Sequence, residues 1–255
     1  MARPRVYRAE AIVLRRMNFG EADRLLVLLT RRGGKVRALA KGSRRPGSKL
    51  GGHLELFSVA DVLVARGREL DILTQAESRQ LFPGLRTDLV SLAYAYYLAE
   101  ITDALLEEAD DAEPLFHCLR QALEALDRRG RAELIGGHYL LTALRLLGFG
   151  PELFSCLLCH NPLRPEANYL SIEQGGTLCA ECGPSRLESQ PLPLNLLKVL
   201  RHLARAEGPA ALHQGIPAEL ARESELLVRK FAEHHIDRRL KSPDFIARIG
   251  ASAEC

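Results

Sequence analysis

The stretch RRGGKVRALAKGSRRPGSKLGGH, residues 31–53, decides the fold of the amino-terminal third of the chain. Within it, KVRALAK (residues 35–41) alternates basic and apolar side chains. Successive side chains of a β-strand point to opposite faces, so this segment is predicted to be a strand with one apolar and one basic face. The apolar positions are Val36, Ala38 and Ala40, and the basic positions are Lys35, Arg37 and Lys41.

Four more strand-like segments surround this one before residue 80. The five segments span residues 6–17, 24–30, 35–42, 54–65 and 70–77. Turn-forming residues separate them, at 18–21, 32–34, 43–52 and 66–68. Five short strands in about 75 residues are typical of an oligonucleotide-binding (OB) barrel. An SH3-like barrel also fits this pattern.

Charge is unevenly distributed along the chain. Residues 1–80 hold 17 Lys and Arg against 8 Asp and Glu, whereas the remaining residues hold 18 against 24, although the net charge is only +3. The imbalance indicates a polyanion-binding module joined to an acidic body. Eight cations without an acidic neighbour in sequence are the predicted DNA-binding residues: Arg31, Arg32, Lys35, Arg37, Lys41, Arg44, Arg45 and Lys49.

The segment GSRRPGSKLGG, residues 42–52, carries four glycines and three of these cations. We expect it to pack no core of its own and to follow an irregular phosphate backbone. A solvated charged loop is the alternative interpretation. If about five phosphates are neutralised, the slope of log K against log salt should be about −4 to −5. Aromatic residues are few, and Phe19 in a turn is the best candidate for base stacking.

From residue 88 the apolar period changes to that of helices. Five helical segments are predicted, beginning near residues 88, 114, 131, 192 and 217. In the first, Thr87 or Asp88 is the expected N-cap, and the expected buried stripe is Leu89, Leu92, Tyr96, Ala99 and Leu106. Asp110 and Asp111 are predicted to lie in a linker between helices. Cys255 is predicted to lie in a frayed tail.

Four cysteines form two C-x2-C pairs separated by nineteen residues: Cys156, Cys159, Cys179 and Cys182. This spacing is typical of a zinc ribbon, with a hairpin turn expected near Gln174. Four thiolates leave no open coordination position, so the predicted zinc ion is structural. An iron–sulfur cluster is the alternative. His160 is expected to be a surface residue.

The fold class is therefore predicted to be α+β: an amino-terminal five-stranded OB-type β-barrel, then an all-α helical domain that carries a four-cysteine zinc-ribbon insertion. The predicted ranges are 1–80 for the barrel, 81–153 and 187–255 for the two parts of the helical domain, and 154–186 for the insertion. Neither a phosphate-binding P-loop nor a dinucleotide-binding motif occurs, so no enzymatic activity is predicted. Gly136, Gly137 and His138 lie inside a helical pattern, which favours close packing.

Cellular location follows from the same patterns. The longest apolar runs, such as LLVLL at 25–29, are too short to span a bilayer, and the basic amino terminus lacks the apolar stretch of a secretory signal. We expect a cytoplasmic protein. Two other functions stay open at this point: an OB and zinc-ribbon adaptor in an RNA or translation complex, and a zinc-stabilised hydrolase.

Residues 18–57 and the later LDILTQAE, residues 70–77, resemble the RecO family of DNA repair proteins. The order of a helical body interrupted by a C-x2-C…C-x2-C insertion is similar to that family as well. The resemblance implies a non-enzymatic recombination mediator that binds single- and double-stranded DNA through its OB domain and anneals complementary strands.

The same resemblance implies a set of partners. Family members associate with RecR, engage the acidic C-terminal tail of single-strand binding protein, and so help to load RecA in the bacterial cytoplasm, at the nucleoid. It carries the DNA-contact role onto the basic residues 31–49 and the zinc role onto the four cysteines. The predicted cationic surface for the acidic tail comprises Arg128, Arg129 and Arg131.

Overall fold

The computed structural model describes residues 5–106, 112–212, 215–236 and 240–253. The predictions made for Asp110, Asp111 and Cys255 lie outside these residues. In the described part of the chain, no helix has the length and apolar character needed to cross a membrane.

The amino-terminal third is a closed barrel of five strands in the order β1-β2-β3-β5-β4. Its strands are β1 (Val6–Phe19), β2 (Asp23–Thr30), β3 (Gly34–Ala40), β4 (Val59–Ala65) and β5 (Asp71–Gln80). Every predicted segment overlaps one strand, and the OB-type barrel is confirmed. The fourth segment differs because residues 54–58 form turns, where Leu54 and Phe57 are buried, before β4 begins.

Strand β1 closes the barrel by pairing with two neighbours. Its first half is antiparallel to β4, its second half is antiparallel to β2, and the register shifts between Val13 and Arg15. Such an irregularity bends a strand and increases its twist, which lets one long strand serve both partners. On the other side, β3 and β5 run parallel, with Ala38 opposite Asp71.

The alternation predicted for β3 is confirmed. Ala38 and Ala40 are fully buried in the barrel core, and Val36 packs against that core. The basic loop differs from the prediction, because it does pack: Leu50 contacts the barrel core and Ser43 is buried. The loop is a chain of turns in which Leu50 packs against the barrel core, while its cations are exposed.

Six α-helices lie in the described residues. They are α1 (Leu89–Leu105), α2 (Glu113–Asp127), α3 (Ala132–Leu146), α4 (Leu194–Arg205), α5 (Ala218–His234) and α6 (Ser242–Ala253). The prediction of five was one too few, because a separate α6 follows α5.

The face of α1 that is buried is not the predicted one. Asp88 is the N-cap, since its carboxylate accepts the Ser91 N–H, and Ala99 and Leu106 are buried as expected. Leu89 and Tyr96, however, are 54% and 42% exposed, whereas Tyr97, Leu98 and Ile101 are fully buried. Helix α1 packs against β1, α2 and α6, so it is buried on several sides and not along the single predicted stripe.

The chain divides into two compact units. Unit 1 comprises Met1–Arg128 with Lys241–Cys255, and unit 2 comprises Arg129–Leu240. Unit 1 therefore contains the barrel together with α1, α2 and α6. Unit 2 contains α3, α4, α5 and a small sheet of β6 (Asn168–Ser171), β7 (Gly176–Leu178) and β8 (Gln190–Leu192). The domain ranges drawn from the sequence stay predictions.

Candidate nucleic-acid interface and metal centre

The eight cations predicted to contact DNA lie along one strand and the turns at its two ends. Arg31 and Arg32 occupy the turn that enters β3, Lys35 and Arg37 lie on β3, and the other four follow it. The structure divides them by what each side chain already contacts. Three of them meet carboxylates of helices that are distant in sequence, contrary to the expectation of cations without acidic partners.

Helix α2 holds the first two. The Nε of Arg31 donates to Oε1 of Glu113 at 2.7 Å, and its Nη1 lies 3.4 Å from Oε2 of Glu10. Arg32 lies 3.8 Å from Oε2 of Glu113. The hydrogen bond from Arg31 lowers the pKa of Glu113, so this carboxylate stays charged. Arg31 and Arg32 therefore tie the barrel to α2.

Lys35 is held more firmly. Its Nζ donates to the backbone carbonyl of Asp103 at 2.8 Å and lies 3.5 Å from Oδ1 of the same residue. The side chains are 9% and 4% exposed. Arg15 lies 3.7 Å from the other carboxylate oxygen. Removing one member of a buried ion pair leaves the other uncompensated, so Lys35 stabilises the junction of barrel and α1.

The cations beyond β3 have different surroundings. Lys41, Arg44, Arg45 and Lys49 are exposed and make no ion pair with any residue that the structure describes. The loop backbone below them is fixed, because Gly42 N–H donates to Oδ1 of Asp23 at 2.7 Å and Arg44 N–H donates to the carbonyl of Ala22 at 2.9 Å. Exposed cations on a fixed backbone that form no ion pair are available to phosphates. We call Lys41, Arg44, Arg45 and Lys49 the loop cations.

Aromatic residues around the barrel have distinct positions. Phe57 is 3% exposed and meets Tyr96 edge to face at 5.0 Å between ring centroids, so it is a core residue. Phe19 ends β1 with 49% of its surface exposed, and base stacking on it stays a prediction.

Sequence reasoning missed three further cations of the barrel. Arg8 on β1 and Arg66 and Arg68 in the loop between β4 and β5 are exposed, and within the described residues none makes an ion pair. Residues 66–68 were predicted only as a turn, without a role in binding. The available signal was the pairing of two arginines around Gly67 in a loop that OB barrels use for binding.

The four cysteines come together in unit 2. Their sulfur atoms all lie within 4.8 Å of one another, and the Sγ atoms of Cys159 and Cys179 are 3.9 Å apart. The predicted hairpin is present, since β6 pairs with β7 and Ser171 lies opposite Gly176. It delivers the second cysteine pair directly after β7. His160 is exposed and lies outside the cluster, as expected.

The thiols influence each other strongly. Burial acts to raise the pKa of Cys156, but hydrogen bonds from the backbone of Cys159, Cys179 and Leu158 bring it down to about 6. Hydrogen bonding with Cys179, together with burial, raises the pKa of Cys182 to about 12. Neighbouring thiolates repel, so four of them at this spacing require a cation to ionise together. The cluster has the composition and spacing of a metal site.

One glycine shows how tightly this region is packed. A Cβ added to Gly183, the residue after Cys182, would overlap the ring of Tyr169 on β6. The ring of Tyr169 therefore lies against a backbone that only glycine supplies at this position.

Two other predictions concern unit 2. His138 is buried and its Nδ1 lies 2.8 Å from the carbonyl oxygen of Leu203, which confirms that Gly136–His138 is a packing segment of α3. Arg131 donates to the carbonyl of Ile216, so this arginine already has a structural contact. A tail-binding role for Arg128, Arg129 and Arg131 stays a prediction.

Known families match nearly the whole chain. Residues 1–82 match the family described as Recombination protein O N terminal, and residues 86–244 match Recombination protein O C terminal. The chain is 38% identical over 245 residues to DNA repair protein RecO of Roseiflexus sp. (strain RS-1), covering 96% of this chain and 86% of that protein. It is 39% identical to the protein of the same name from Gloeobacter violaceus, covering 93% and 91%. The corresponding protein of Moorella thermoacetica is 34% identical, with 97% and 92% covered.

Proposed function

Because the chain belongs to the RecO family of DNA repair proteins, we propose that it is a non-catalytic mediator of recombinational repair. In this proposal it binds single- and double-stranded DNA through the barrel and anneals complementary strands. With RecR it helps to load RecA onto DNA coated by single-strand binding protein, whose acidic tail it engages. It acts in the bacterial cytoplasm, at the nucleoid.

The observation that carries the proposal is the position of the loop cations. Four exposed positive side chains lie on a backbone fixed by hydrogen bonds at one end of the barrel, and none forms an ion pair with a described residue. Contacts of this kind bind phosphates without regard to sequence. Such binding fits an annealing protein, which must leave base edges free to pair.

Annealing has a physical cause in this arrangement. Two DNA strands repel each other through their phosphates, and protein cations that replace the condensed counterions reduce this repulsion. The loop cations do so along a short stretch of both strands. Because Phe57 is buried and the barrel offers few exposed rings, bases are held weakly and remain free to find complementary partners.

The metal site has a structural role in this proposal. Cys156, Cys159, Cys179 and Cys182 would hold Zn²⁺, which four thiolates bind tetrahedrally. When bound, the ion supplies charge neutralisation and cross-links the two C-x2-C turns. The chain's own residues then fix the insertion through β6, β7 and the close contact of Gly183 with Tyr169.

Strand annealing tests the proposal. The triple variant Arg44→Glu, Arg45→Glu and Lys49→Glu should lose annealing of complementary oligonucleotides, while its circular dichroism spectrum and zinc content stay those of the wild type. A matched control changes three exposed cations of unit 2, Arg145, Lys198 and Lys230, to Glu. Annealing at the wild-type rate by the loop variant would refute the loop's role.

Two added measurements address the partners and the RNA-adaptor alternative. Annealing of DNA coated by intact single-strand binding protein should be faster than annealing of DNA coated by a tail-deleted form. RNA and DNA of equal length are then compared as competitors for the same protein. Equal rates with both forms of the coating protein, and a clear preference for RNA, would favour the adaptor.

A further inference from the structure

The four cysteines of the metal site differ in how far solvent reaches them. Cys156 is buried, Cys179 and Cys182 are half-buried, and Cys159 is exposed, alone among the cysteines that the structure describes. Cysteine oxidation follows exposure and thiolate character, and a metal ion keeps its cysteine ligands in the thiolate form. Cys159 is therefore the sulfur that a dissolved oxidant meets first.

The first C-x2-C turn is joined to β7 by backbone hydrogen bonds that do not involve a metal. The N–H of Leu157 donates to the carbonyl of Thr177 at 3.0 Å, and the N–H of Thr177 donates to the carbonyl of Glu152 at 2.9 Å. The N–H of Glu152 in turn donates to the carbonyl of Gly175 at 3.0 Å. Because Cys179 follows β7 directly, this framework holds the two cysteine pairs next to each other without help from an ion.

The buried sulfur of Cys156 brings two other cysteines together. It accepts hydrogen bonds from the backbone N–H groups of Cys159 and Cys179, which belong to different C-x2-C pairs. The Sγ atoms of these two residues lie 3.9 Å apart. A disulfide bond is about 2.05 Å long, so a local movement of the two side chains is enough to form it.

We propose that the metal site is also a redox switch, in which a hydroperoxide oxidises Cys159 and Cys179 to a disulfide and the zinc ion is released. The inference rests on the proposed role of zinc and adds a modification site to it. A partner thiolate at a fixed short distance acts at a high effective concentration. Oxidation of Cys159 therefore ends at the disulfide, which thiol reductants reverse, and does not continue to the irreversible sulfinic acid.

The chemistry is complete with hydrogen peroxide as the co-reactant. The Cys159 thiolate attacks one peroxide oxygen, the O–O bond breaks, and a sulfenic acid and a hydroxide ion result. The Cys179 thiolate then attacks the sulfenic sulfur, so that the S–S bond forms and a second hydroxide ion leaves. The two sulfurs give up two electrons in total, and the peroxide takes up both.

The zinc ion leaves because its coordination is broken, and its own charge does not change. A structural zinc site needs four ligands, and after oxidation only the thiolates of Cys156 and Cys182 remain. The disulfide then joins the same two C-x2-C turns that the ion joined before. Reduction regenerates all four thiolates on a framework that is already assembled, so the site can bind zinc again.

The test uses the full chain loaded with zinc and treated with hydrogen peroxide under native conditions. Released zinc is measured with a chromogenic chelator, remaining thiols by titration after denaturation, and cysteine pairing by mass spectrometry of a digest. One zinc ion should be released for every two thiols lost, and the cross-linked peptides should contain Cys159 and Cys179. Dithiothreitol with added zinc should restore both the thiols and the zinc content.

Substitutions separate this reaction from general oxidation. Cys159→His and Cys182→His each leave three thiolates and an imidazole, a ligand set that zinc accepts. At the peroxide dose that empties the wild type, Cys159→His should retain most of its zinc, whereas Cys182→His should still form the disulfide between Cys159 and Cys179. Cys118→Ser removes a thiol of α2 outside the cluster and should release zinc as the wild type does.

Cysteine pairing in the wild type decides the result even where a histidine variant fails to hold zinc. A disulfide within one C-x2-C pair, sulfinic acid at Cys159, or loss of the cluster thiols without zinc release would overturn the switch. Failure of the fully reduced wild type to bind zinc would instead overturn the proposed metal site.

Discussion

At the scale of single residues, basic side chains that look alike in the sequence have different tasks. Lys35, Arg31 and Arg32 meet carboxylates of helices, whereas the loop cations meet none in the described residues. The sequence shows no acidic residue between positions 31 and 53, but Asp103 and Glu113 lie at least 50 residues further along the chain. Local sequence therefore predicted the basic face correctly, while tertiary ion pairs decided which cations remain available.

The first prediction concerns this competition. Glu113→Gln removes the carboxylate that holds Arg31 and Arg32, so at least one more cation becomes available to phosphate. The slope of log K against log salt for duplex DNA should steepen by about 1. The control is Glu223→Gln, which neutralises an exposed carboxylate of α5. An unchanged slope in the Glu113 variant would mean that neither arginine becomes available to phosphate when this carboxylate is removed.

The second prediction concerns Gly183. Gly183→Ala places a methyl group against the ring of Tyr169, closer than van der Waals contact allows, and the metal-site region must shift to accept it. Such overpacking usually costs about 1–3 kcal/mol of unfolding free energy. Thermal unfolding and zinc content are the measurements, and Gly52→Ala, where the added methyl meets open space, is the control. Equal melting temperatures for both variants would contradict this packing.

At the scale of elements, strands were easier to predict than helices. The period-two pattern of β3 fixed its inner face, because a barrel strand has one buried side. Helix α1 is buried on several sides, so its apolar stripe did not identify its inner face. Helix α6 was missed for a different reason: the carboxylate of Glu100 on α1 accepts the backbone N–H groups of Lys241 and Ser242 at its start. That cap lies about 140 residues away in sequence.

The third prediction concerns the packing of α3 near the end of α4. Burial lowers the pKa of His138 below its ordinary 6.5, although the hydrogen bond with the Leu203 carbonyl opposes this shift. A folded-state pKa below the unfolded one means that the unfolded chain takes up a proton first as pH falls through 6.5. Stability of the wild type should therefore fall on acidification.

A substitution isolates that contribution. His138→Gln keeps a donor for the Leu203 carbonyl but does not titrate. The difference in unfolding free energy between wild type and variant is measured over about one pH unit on either side of the ordinary histidine pKa, so that effects common to both proteins cancel. As pH falls, the wild type should lose unfolding free energy relative to the variant. A difference that is independent of pH would refute the lowered pKa of His138.

At the scale of the whole molecule, the two compact units separate the proposed tasks. The barrel, which carries the loop cations, belongs to unit 1, and the four-cysteine cluster belongs to unit 2. The spacing of the cysteines predicted their cluster correctly because each C-x2-C turn is a local structure, and the hairpin between them is short. Assignment of α1, α2 and α6 to the unit of the barrel depends on long-range packing, which spacing does not encode.

The fourth prediction follows from this separation. Cys179→Ser together with Cys182→Ser should abolish zinc binding. The melting temperature of the thermal transition in which unit 2 unfolds should fall by about 5 °C or more. DNA affinity and its salt slope should stay at wild-type values, since no cysteine of the cluster lies in the barrel unit. Cys118→Ser, outside the cluster, is the control. Loss of DNA binding in the zinc-free variant would show that the metal site takes part in it.

The salt dependence of duplex binding tests the central claim most directly, that the barrel holds DNA by its phosphates through cations at the end of β3. If about five phosphates are neutralised, the wild-type slope of log K against log salt should be about −4 to −5. Changing Lys41, Arg44, Arg45 and Lys49, which would account for four of those contacts, to Gln should bring it to about −1. A wild-type slope near zero, or the same slope in both proteins, would contradict the account.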